Sequence, residues 1–488
     1  VGSLAIAWAA FIALVLFARE LVVWLGLPTG FTANGAAILL VYLLDLIILL
    51  LIGRVPLYYN VRNLLVRWRI TAMTALAFTV VVAILTVLLA FVNGMNQLSA
   101  ASGHPANVIV LSDGSTDEVF SNLGFGDVAM FEREVAMFDQ KDRPLDRPVR
   151  VKRIVQNGIE VPLVSRETYC IVNRPMESNP LRRQFVQVRG IVDPLLSSQV
   201  HELPLLAGRW FTEAGVQTPA GAAAGAADQI EAVIGTGLAR TLGEAQQRPP
   251  LVVGDTFTLG DRTWVVVGIM NAEGTSFGSE LWAKQAIVGK MFNKNNYTTD
   301  VLRIEDDGPR ELVIQRAQIF AHHLGNRFNN PRVAAQTELD YYAKQSESNS
   351  VFLFGALAVA AVMAVGGIFG VMNTMFAAVA QRIKDIGVLR ILGFKRWQVL
   401  VSFMLESLTI GAIGGLVGLA LGSLCHGFTA TSVLSSGQGG GGKTVILKMI
   451  VDGNVIMAGL LFTMIMGRLG GLIPALSAMR LKILESLR

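Results

Sequence analysis

The chain has 488 residues, 52% of them hydrophobic and only 16% charged, with a mean hydropathy of +0.51. Soluble globular domains carry about a quarter charged residues, so this deficit argues against an ordinary soluble enzyme and for a membrane protein. The formal net charge of +5 is unevenly held: residues 94–350 contain 25 basic and 30 acidic side chains, and the more apolar remainder keeps 16 basic against 6 acidic. An excess of Lys and Arg beside apolar runs marks cytoplasmic loops, not a nucleic-acid-binding patch.

Two cysteines, Cys170 and Cys425, predict no disulfide, so the middle segment must rest on its own core. Six apolar runs come near the ~20 residues needed to cross hydrocarbon. They cover residues 4–27, 36–52, 70–92, 351–379, 401–425 and 455–476. Arg19 and Glu20 interrupt the first, which is too long and too soon followed by the second for a cleaved signal peptide. Asp45 lies within the second, where a carboxyl is costly unless it faces protein or water; it reads first as a packing carboxyl of the helix bundle.

The short loops set the orientation. Arg54, Arg62, Arg67 and Arg69 stand between the second and third runs with no acid among them. Arg382, Lys384, Arg390, Lys395 and Arg396 stand between the fourth and fifth against Asp385 alone, and Arg480, Lys482 and Arg488 follow the sixth against Glu485. Alternate crossings put all three on one side, which the positive-inside rule makes cytoplasmic. Residues 94–350 are then expected outside. Residues 58–69, with Trp68 among arginines, read as a helix in the membrane interface or as an extension of the third span.

The middle segment mixes strand and helix signals. Residues 107–111, 185–192, 232–234 and 263–267 read as strands, and 256–259 as a hairpin strand bracketed by Gly254-Asp255 and Gly260-Asp261. Residues 310–324 read as a helix and 219–227 as a Gly/Ala-rich surface loop. Residues 338–350 run into the fourth span without a breaker, predicting one long stalk helix. The fold class is therefore an α-helical membrane protein of about six transmembrane helices, with a large mixed α/β extracytoplasmic domain on stalk helices. The expected boundaries are 1–53 for two additional N-terminal helices and 54–93 for the interfacial helix and third span. The outer domain takes 94–345, and 346–488 the last three spans.

Several motifs point away from chemistry. Gly437, Gly442, Lys443 and Thr444 match the phosphate-loop pattern, and residues 434–438 are similar to the signature loop of ABC ATPases. That chemistry needs a preceding strand and a following helix, whereas here the stretch joins two spans on the outer side; a flexible glycine loop is expected. His104, His201, His322, His323 and His426 show no metal-ligand spacing. Ser276, within residues 274–278, lacks the helix that a nucleophile elbow requires and reads as a turn. No catalytic, metal or cofactor site is expected.

Residues 381–394 carry the informative signal. Ile383, Ile386, Leu389 and Ile391 are too few for a span and too many for a free loop; an amphipathic helix closed by Gly393 fits. Composition leaves two readings open, a membrane-surface helix and a docking helix for a cytoplasmic partner. Ile386 and Leu389, one turn apart, could share the docking face, with Asp385 and Arg390 setting orientation.

This segment resembles the coupling-helix region of MacB/FtsX-type permeases, with Arg382, Asp385, Ile386, Gly387, Arg390 and Gly393 at the recurring places. The resemblance extends through Gly366-Gly367, residues 372–374, Glu406, residues 471–475, Ala478, Arg480 and residues 485–488. It also covers residues 60–74 and 233–283, including Gly254-Asp255 and residues 267–269. It departs at Asp385, where Glu is usual, and in the two added N-terminal spans. It implies the permease subunit of an ABC transporter in the cell (inner) membrane. Arg382, Asp385, Ile386, Gly387, Leu389, Arg390 and Gly393 would couple it to a separate cytoplasmic ABC ATPase. Further implied partners are a second permease copy (homodimer or pseudo-dimer), membrane lipid and, as a candidate, a periplasmic adaptor. The activity implied is export or extraction of a lipoprotein, peptide or drug-like substrate by mechanotransmission. The alternative is a cargo-free transducer that activates cell-wall hydrolases.

Overall fold

The computed structural model describes residues 62, 64–66, 68–176, 179–219, 227–328, 331–435 and 442–480. The first long helix is α1 (Trp68–Ser102), followed by β1 (Asn107–Ser112), α2 (Phe125–Phe131), β2 (Val135–Phe138) and β3 (Pro144–Arg150). Next come β4 (Arg153–Gln156), β5 (Ile159–Pro162), β6 (Val164–Met176), β7 (Asn179–Ile191), α3 (Pro194–Val200), β8 (Leu205–Gly208) and β9 (Val216–Gln217). The chain continues through β10 (Gln229–Gly235), α4 (Thr236–Ala245), β11 (Thr256–Leu259), β12 (Arg262–Met270), β13 (Glu280–Lys284), α5 (Gln285–Met291) and β14 (Thr299–Arg303). It closes with α6 (Arg310–Asn326), β15 (Val333–Thr337), α7 (Glu338–Gln381), α8 (Ile383–Ile391), α9 (Arg396–Ser423), β16 (Thr429–Ser435), β17 (Gly442–Lys448) and α10 (Gly453–Arg480).

Four of these helices are long and apolar enough to cross a membrane: α1, α7 over Leu353–Gln381, α9 and α10. They take up the third to sixth apolar runs. The first two runs, with Asp45, lie outside the described residues, as do half of 58–69, most of the 219–227 loop and the last eight residues. Stalk and fourth span form one helix of 44 residues, as the lack of a breaker predicts.

Contacts divide the chain into two units. The membrane unit holds the chain up to Gly94 together with Val351–Phe428 and the chain from Met449. Within it α9 lies against α1 through Gly414, Gly418 and Gly422, spaced one helical turn apart. A Cβ at Gly418 would sit 2.6 Å from the Thr79 carbonyl oxygen, and one at Gly422 2.6 Å from the Thr86 Cβ. Lipid supplies no hydrophobic drive between spans, so such close backbone approach, reinforced by polar bonds, holds them. Thr79 Oγ1 donates to the Gly414 carbonyl at 3.0 Å, and Ser407 Oγ to the Gly467 carbonyl at 2.7 Å.

The outer unit comprises Met95–Ser350 and Thr429–Lys448. Its eleven-stranded mixed sheet has the order β11-β12-β10-β13-β7-β6-β14-β1-β15, with β8 on β12 and β9 on β10. The pairs β10/β12 and β7/β13 are parallel. Gly260 and Asp261, both at positive φ, close the two-residue hairpin between β11 and β12. All the strands expected from sequence lie in this sheet, and α6 extends the expected helix by two residues. One expectation changes. The stretch read as a flexible loop is flanked by β16 and β17, a seven-pair antiparallel hairpin. It docks on the outer unit: Ile446 N–H donates to Ser279 Oγ at 2.9 Å, and Arg240 Nη1 to Thr429 Oγ1 at 2.8 Å. The threonines and aliphatic residues at 429–434 and 444–447 favour strands, a signal that the glycines between them conceal. Lys443 and Thr444 thus stand on a strand, not before a helix.

A buried charge cluster crosses the sheet. Arg189 on β7 meets Glu280 Oε2 at 2.7 Å, Glu118 Oε1 at 3.0 Å and Glu167, with its guanidinium carbon 4.7 Å from the Tyr169 ring. His201 Nε2 lies 2.6 Å from Glu167 Oε1, and its Nδ1 3.5 Å from Glu338 Oε1 at the start of α7. Asn107 Nδ2 and the His104 N–H both donate to Glu338 Oε2 at 2.8 Å. Burial pushes the Glu167 carboxyl up, but Arg189 and His201 outweigh it and hold it at about 2. Burial likewise opposes charge on His201, and Glu167 and Glu338 override it, raising the imidazole to about 9.

The signs fix a pH window. The raised His201 contributes stability that is full below its ordinary value near 6.5 and fades as pH rises through about 9. The depressed Glu167 contributes above its ordinary value near 4.5, a contribution lost as pH falls through about 2. The wild-type chain in detergent should therefore lose melting temperature between pH 6.5 and 9, read by tryptophan fluorescence. His201→Gln should melt lower at pH 6 and show little further loss over that interval. An equally steep alkaline loss in the variant would show that His201 is not the titrating group.

Candidate functional site

The turn between α7 and α9 begins at Arg382, which leaves helical geometry at φ −110°, ψ 12°. Its carbonyl accepts the Ile386 N–H at 2.9 Å, starting α8. Asp385 in the first turn and Arg390 in the last complement the helix dipole. Gly393, at φ +96°, ends the helix. The Phe394 N–H donates to the Leu389 carbonyl at 3.1 Å and the Gly393 N–H to the Arg390 carbonyl at 3.3 Å, a Schellman closure that needs the left-handed residue in between. Lys395 then caps α9, its N–H donating to Gln398 Oε1 at 2.7 Å.

Two contacts pin α8. On the polar side the Arg382 guanidinium is buried and forks onto Glu406 of α9, with Nη1 at 2.6 Å from Oε2 and Nη2 at 2.8 Å from Oε1. Its carbon also stands 5.7 Å from the Phe403 ring centroid. On the apolar side Ile386, 3% exposed, joins the core of Phe78, Val379, Val399, Phe403 and Met404. Gly387 is buried, and Leu389 and Arg390 are half-buried. Ile386 and Leu389 do lie on one face, but that face turns inward, because Ile386 is needed to fill the core beside α9. The outward face was not singled out by sequence: Val388, Ile391 and Leu392, exposed by 48%, 60% and 71%, stand at i, i+3 and i+4 beside Lys384 and Asp385. The run Val388-Leu389-Arg390-Ile391-Leu392 is apolar on both sides of the helix, so periodicity alone does not separate the faces.

Two other residues weighed from sequence lie in the outer unit. Ser276 opens a buried one-turn 3-10 helix, and its N–H donates to the Ser102 hydroxyl oxygen at 2.8 Å. His323 meets Glu134 at 3.1 Å on the outer unit. Among the described residues no group of His, Cys, Asp and Glu is arranged to hold a metal.

Removing one partner of a buried ion pair strands the other charge and costs roughly 3–5 kcal/mol, whereas replacing both with apolar groups restores much of that loss. Arg382→Met and Glu406→Leu should each lower the melting temperature of the full chain in detergent, and the double variant should recover most of it. Single variants that melt with the wild type would show that the pair does not hold the turn.

Two family models cover most of the sequence: the MacB-like periplasmic core domain matches residues 71–315, and the FtsX-like permease C-terminal domain matches residues 357–483. An uncharacterized ABC transporter permease of Methanocaldococcus jannaschii is 27% identical over 54% of this chain and 63% of its own. The uncharacterized ABC transporter permease YknZ of Bacillus subtilis is 26% identical over 48% of this chain and 57% of its own. The macrolide export ATP-binding/permease protein MacB of Bdellovibrio bacteriovorus is 27% identical over 62% of this chain and 44% of its own. The chain thus spans less than two thirds of the length of each of these relatives. With the outer-domain model matching half of the chain and the permease model following it, the chain belongs to the MacB/FtsX-type family of ABC transporter permeases.

Proposed function

We propose that this chain is the transmembrane subunit of an ABC transporter in which a separate cytoplasmic ATPase docks on α8 and drives movement of the outer domain. The observation that carries this reading is the exposed Val388, Ile391 and Leu392 stripe on a helix pinned by Ile386 and the Arg382–Glu406 pair. A short apolar face that projects from a fixed base suits helix-in-groove docking, and Lys384 and Asp385 would orient the partner. Arg382, Asp385, Ile386, Gly387, Leu389, Arg390 and Gly393 then share the coupling role in different ways. Arg382, Ile386 and Gly387 hold the helix in place, Gly393 ends it, and Asp385, Leu389 and Arg390 border the docking face. Helix α7, about 66 Å long at 1.5 Å per residue, would carry the displacement without an intervening loop.

On this reading the subunit lies in the cell membrane with residues 94–350 outside, works with a second permease copy, and exports or extracts a lipoprotein, peptide or drug-like molecule. The size of the outer domain supports cargo handling over cargo-free signalling to cell-wall hydrolases. A periplasmic adaptor is compatible with that surface.

Burying an exposed Val, Leu or Ile side chain is worth roughly 1.5–3 kcal/mol, a ten- to hundredfold change in affinity. Val388→Asp with Leu392→Asp should abolish co-purification of the ATPase and its stimulated ATP hydrolysis, while insertion is unaffected. Wild-type levels of both would sink the docking assignment. For topology, Val155→Cys and Lys384→Cys can be compared in a Cys425→Ser background. An impermeant maleimide on intact cells, or on spheroplasts, should label Val155→Cys alone. Labelling only at Lys384→Cys would invert the orientation.

A further inference from the structure

A cation stands near mid-length of the last span. Arg468 of α10 is only 5% exposed, and a guanidinium at that depth is costly unless an anion faces it. The four described spans contain one acidic residue, Glu406, and both of its carboxylate oxygens accept from Arg382. Any carboxylate that matches Arg468 therefore comes from outside these four spans.

The packing of α10 shows on which side. Gly467 and Gly471 turn to Ser407 of α9, with a Cβ at Gly471 falling 2.5 Å from the Ser407 Cβ. Gly470 faces Val371 of α7, and Gly459 faces Leu419 of α9 and Val82 of α1. At 3.6 residues per turn, Gly470 and Gly459 are rotated from Arg468 by about 160° and 180°. The flank that meets α1 and α7 is thus opposite the one on which Arg468 is buried. The same membrane unit includes the chain up to Gly94, and that stretch holds the apolar run 36–52 with Asp45.

Depth singles out Asp45. Alternate crossings send 36–52 and α10 through the membrane in the same direction, toward Arg54 and Arg480. Asp45 falls about one residue past the midpoint of 36–52, and Arg468 about two to three past the midpoint of 455–476; at 1.5 Å per residue the charges lie within about 3 Å in depth. Glu20, in the first run, fits less well. That run crosses the other way, so Glu20 lies roughly 10 Å from the level of Arg468, with Arg19 beside it.

We propose that residues 36–52 form a span packed on this flank of α10, with the Asp45 carboxylate paired to the Arg468 guanidinium near the middle of the membrane. The N-terminal apolar segment is then an integral part of the membrane unit, and Asp45 sets its register. A slip of one helical turn would part the charges by about 5.4 Å, so the pair fixes depth and rotation together. The pairing depends on the order of crossings and not on ATPase docking at α8.

Reversing one charge at a time tests the pair in the full chain. Asp45→Arg and Arg468→Asp should each oppose like charges and lower the detergent-extracted yield of monodisperse protein several-fold. The exchange variant Asp45→Arg/Arg468→Asp should restore at least half of the wild-type yield. Proximity is read separately with both charges kept, since a single reversal can simply misfold. Leu49→Cys and Leu472→Cys, each one helical turn beyond the pair, are combined in a Cys425→Ser background. Oxidation by copper phenanthroline in the membrane should join them within one chain, leaving only Cys170 to react with PEG-maleimide after denaturation. Single reversals with wild-type yield, an exchange variant no better than the singles, or thiols that stay free after oxidation would each overturn the proposal. So would a covalent dimer, an outcome that assigns the span covering Arg468 to a second copy of the chain.

Discussion

A guanidinium buried at the foot of a span must be matched by a carboxylate, and Arg382 finds its match in Glu406. The pair does more than neutralise charge. Its two parallel hydrogen bonds fix the angle of the fork, and therefore the direction in which the chain leaves α7 and enters α8. Ile386 fixes the rotation of α8 about its own axis by filling the core beside α9. With direction and rotation both set, Val388, Ile391 and Leu392 have nowhere to turn but outward. The exposed apolar face is thus a consequence of the pair, and a helix of nine residues, too short to be stable alone, holds its place through tertiary contacts.

The outer unit uses buried charge in a comparable way. Arg189 and protonated His201 face Glu118, Glu167, Glu280 and Glu338, all nearly excluded from solvent. Such clusters add little net stability compared with a well-packed apolar core, because desolvation offsets most of the attraction. What they impose is geometry. Residues from β6, β7, β13 and the first turn of α7 must meet at fixed distances or leave a charge stranded. The Tyr169 and Phe277 rings also lie 4.7 and 5.5 Å from the Arg189 guanidinium carbon, so few other arrangements of these elements would satisfy the same contacts.

Much of this was legible in the sequence, and the reasons are local. Runs of some twenty apolar residues can only be spans or deep core, so α1, α7, α9 and α10 were readable by length. The absence of a breaker at 338–350 predicted the continuous stalk, and the Gly260-Asp261 pair predicted the hairpin turn. The glycine after residues 383–392 announced the end of α8. What escaped depends on long-range contact. His201 and Arg189 look like surface charges until the sheet brings Glu167, 34 and 22 residues away, beside them. Ile386 and Val388 are equally apolar in sequence, and only packing tells which one is buried. The β16/β17 hairpin was hidden because its glycine-rich centre dominates the composition of a strand pair that is otherwise threonine and aliphatic.

The long helix α7 joins these themes. Its first residue, Glu338, is buried and accepts hydrogen bonds from Asn107 and the His104 main chain within the outer unit. The residue immediately after its last turn, Arg382, is buried against Glu406 within the membrane unit. Each end is thus tied to its own unit by a buried polar side chain that cannot let go without leaving its hydrogen-bonding groups unpaired. Between them the i to i−4 bonds run unbroken for 44 residues, even past Gly355, Gly366, Gly367 and Gly370. Glycine costs a helix about 1 kcal/mol per position relative to alanine, so a segment held only by its own propensity would be free to fray there. Anchoring both ends by buried polar contacts removes that freedom at the termini, where fraying begins.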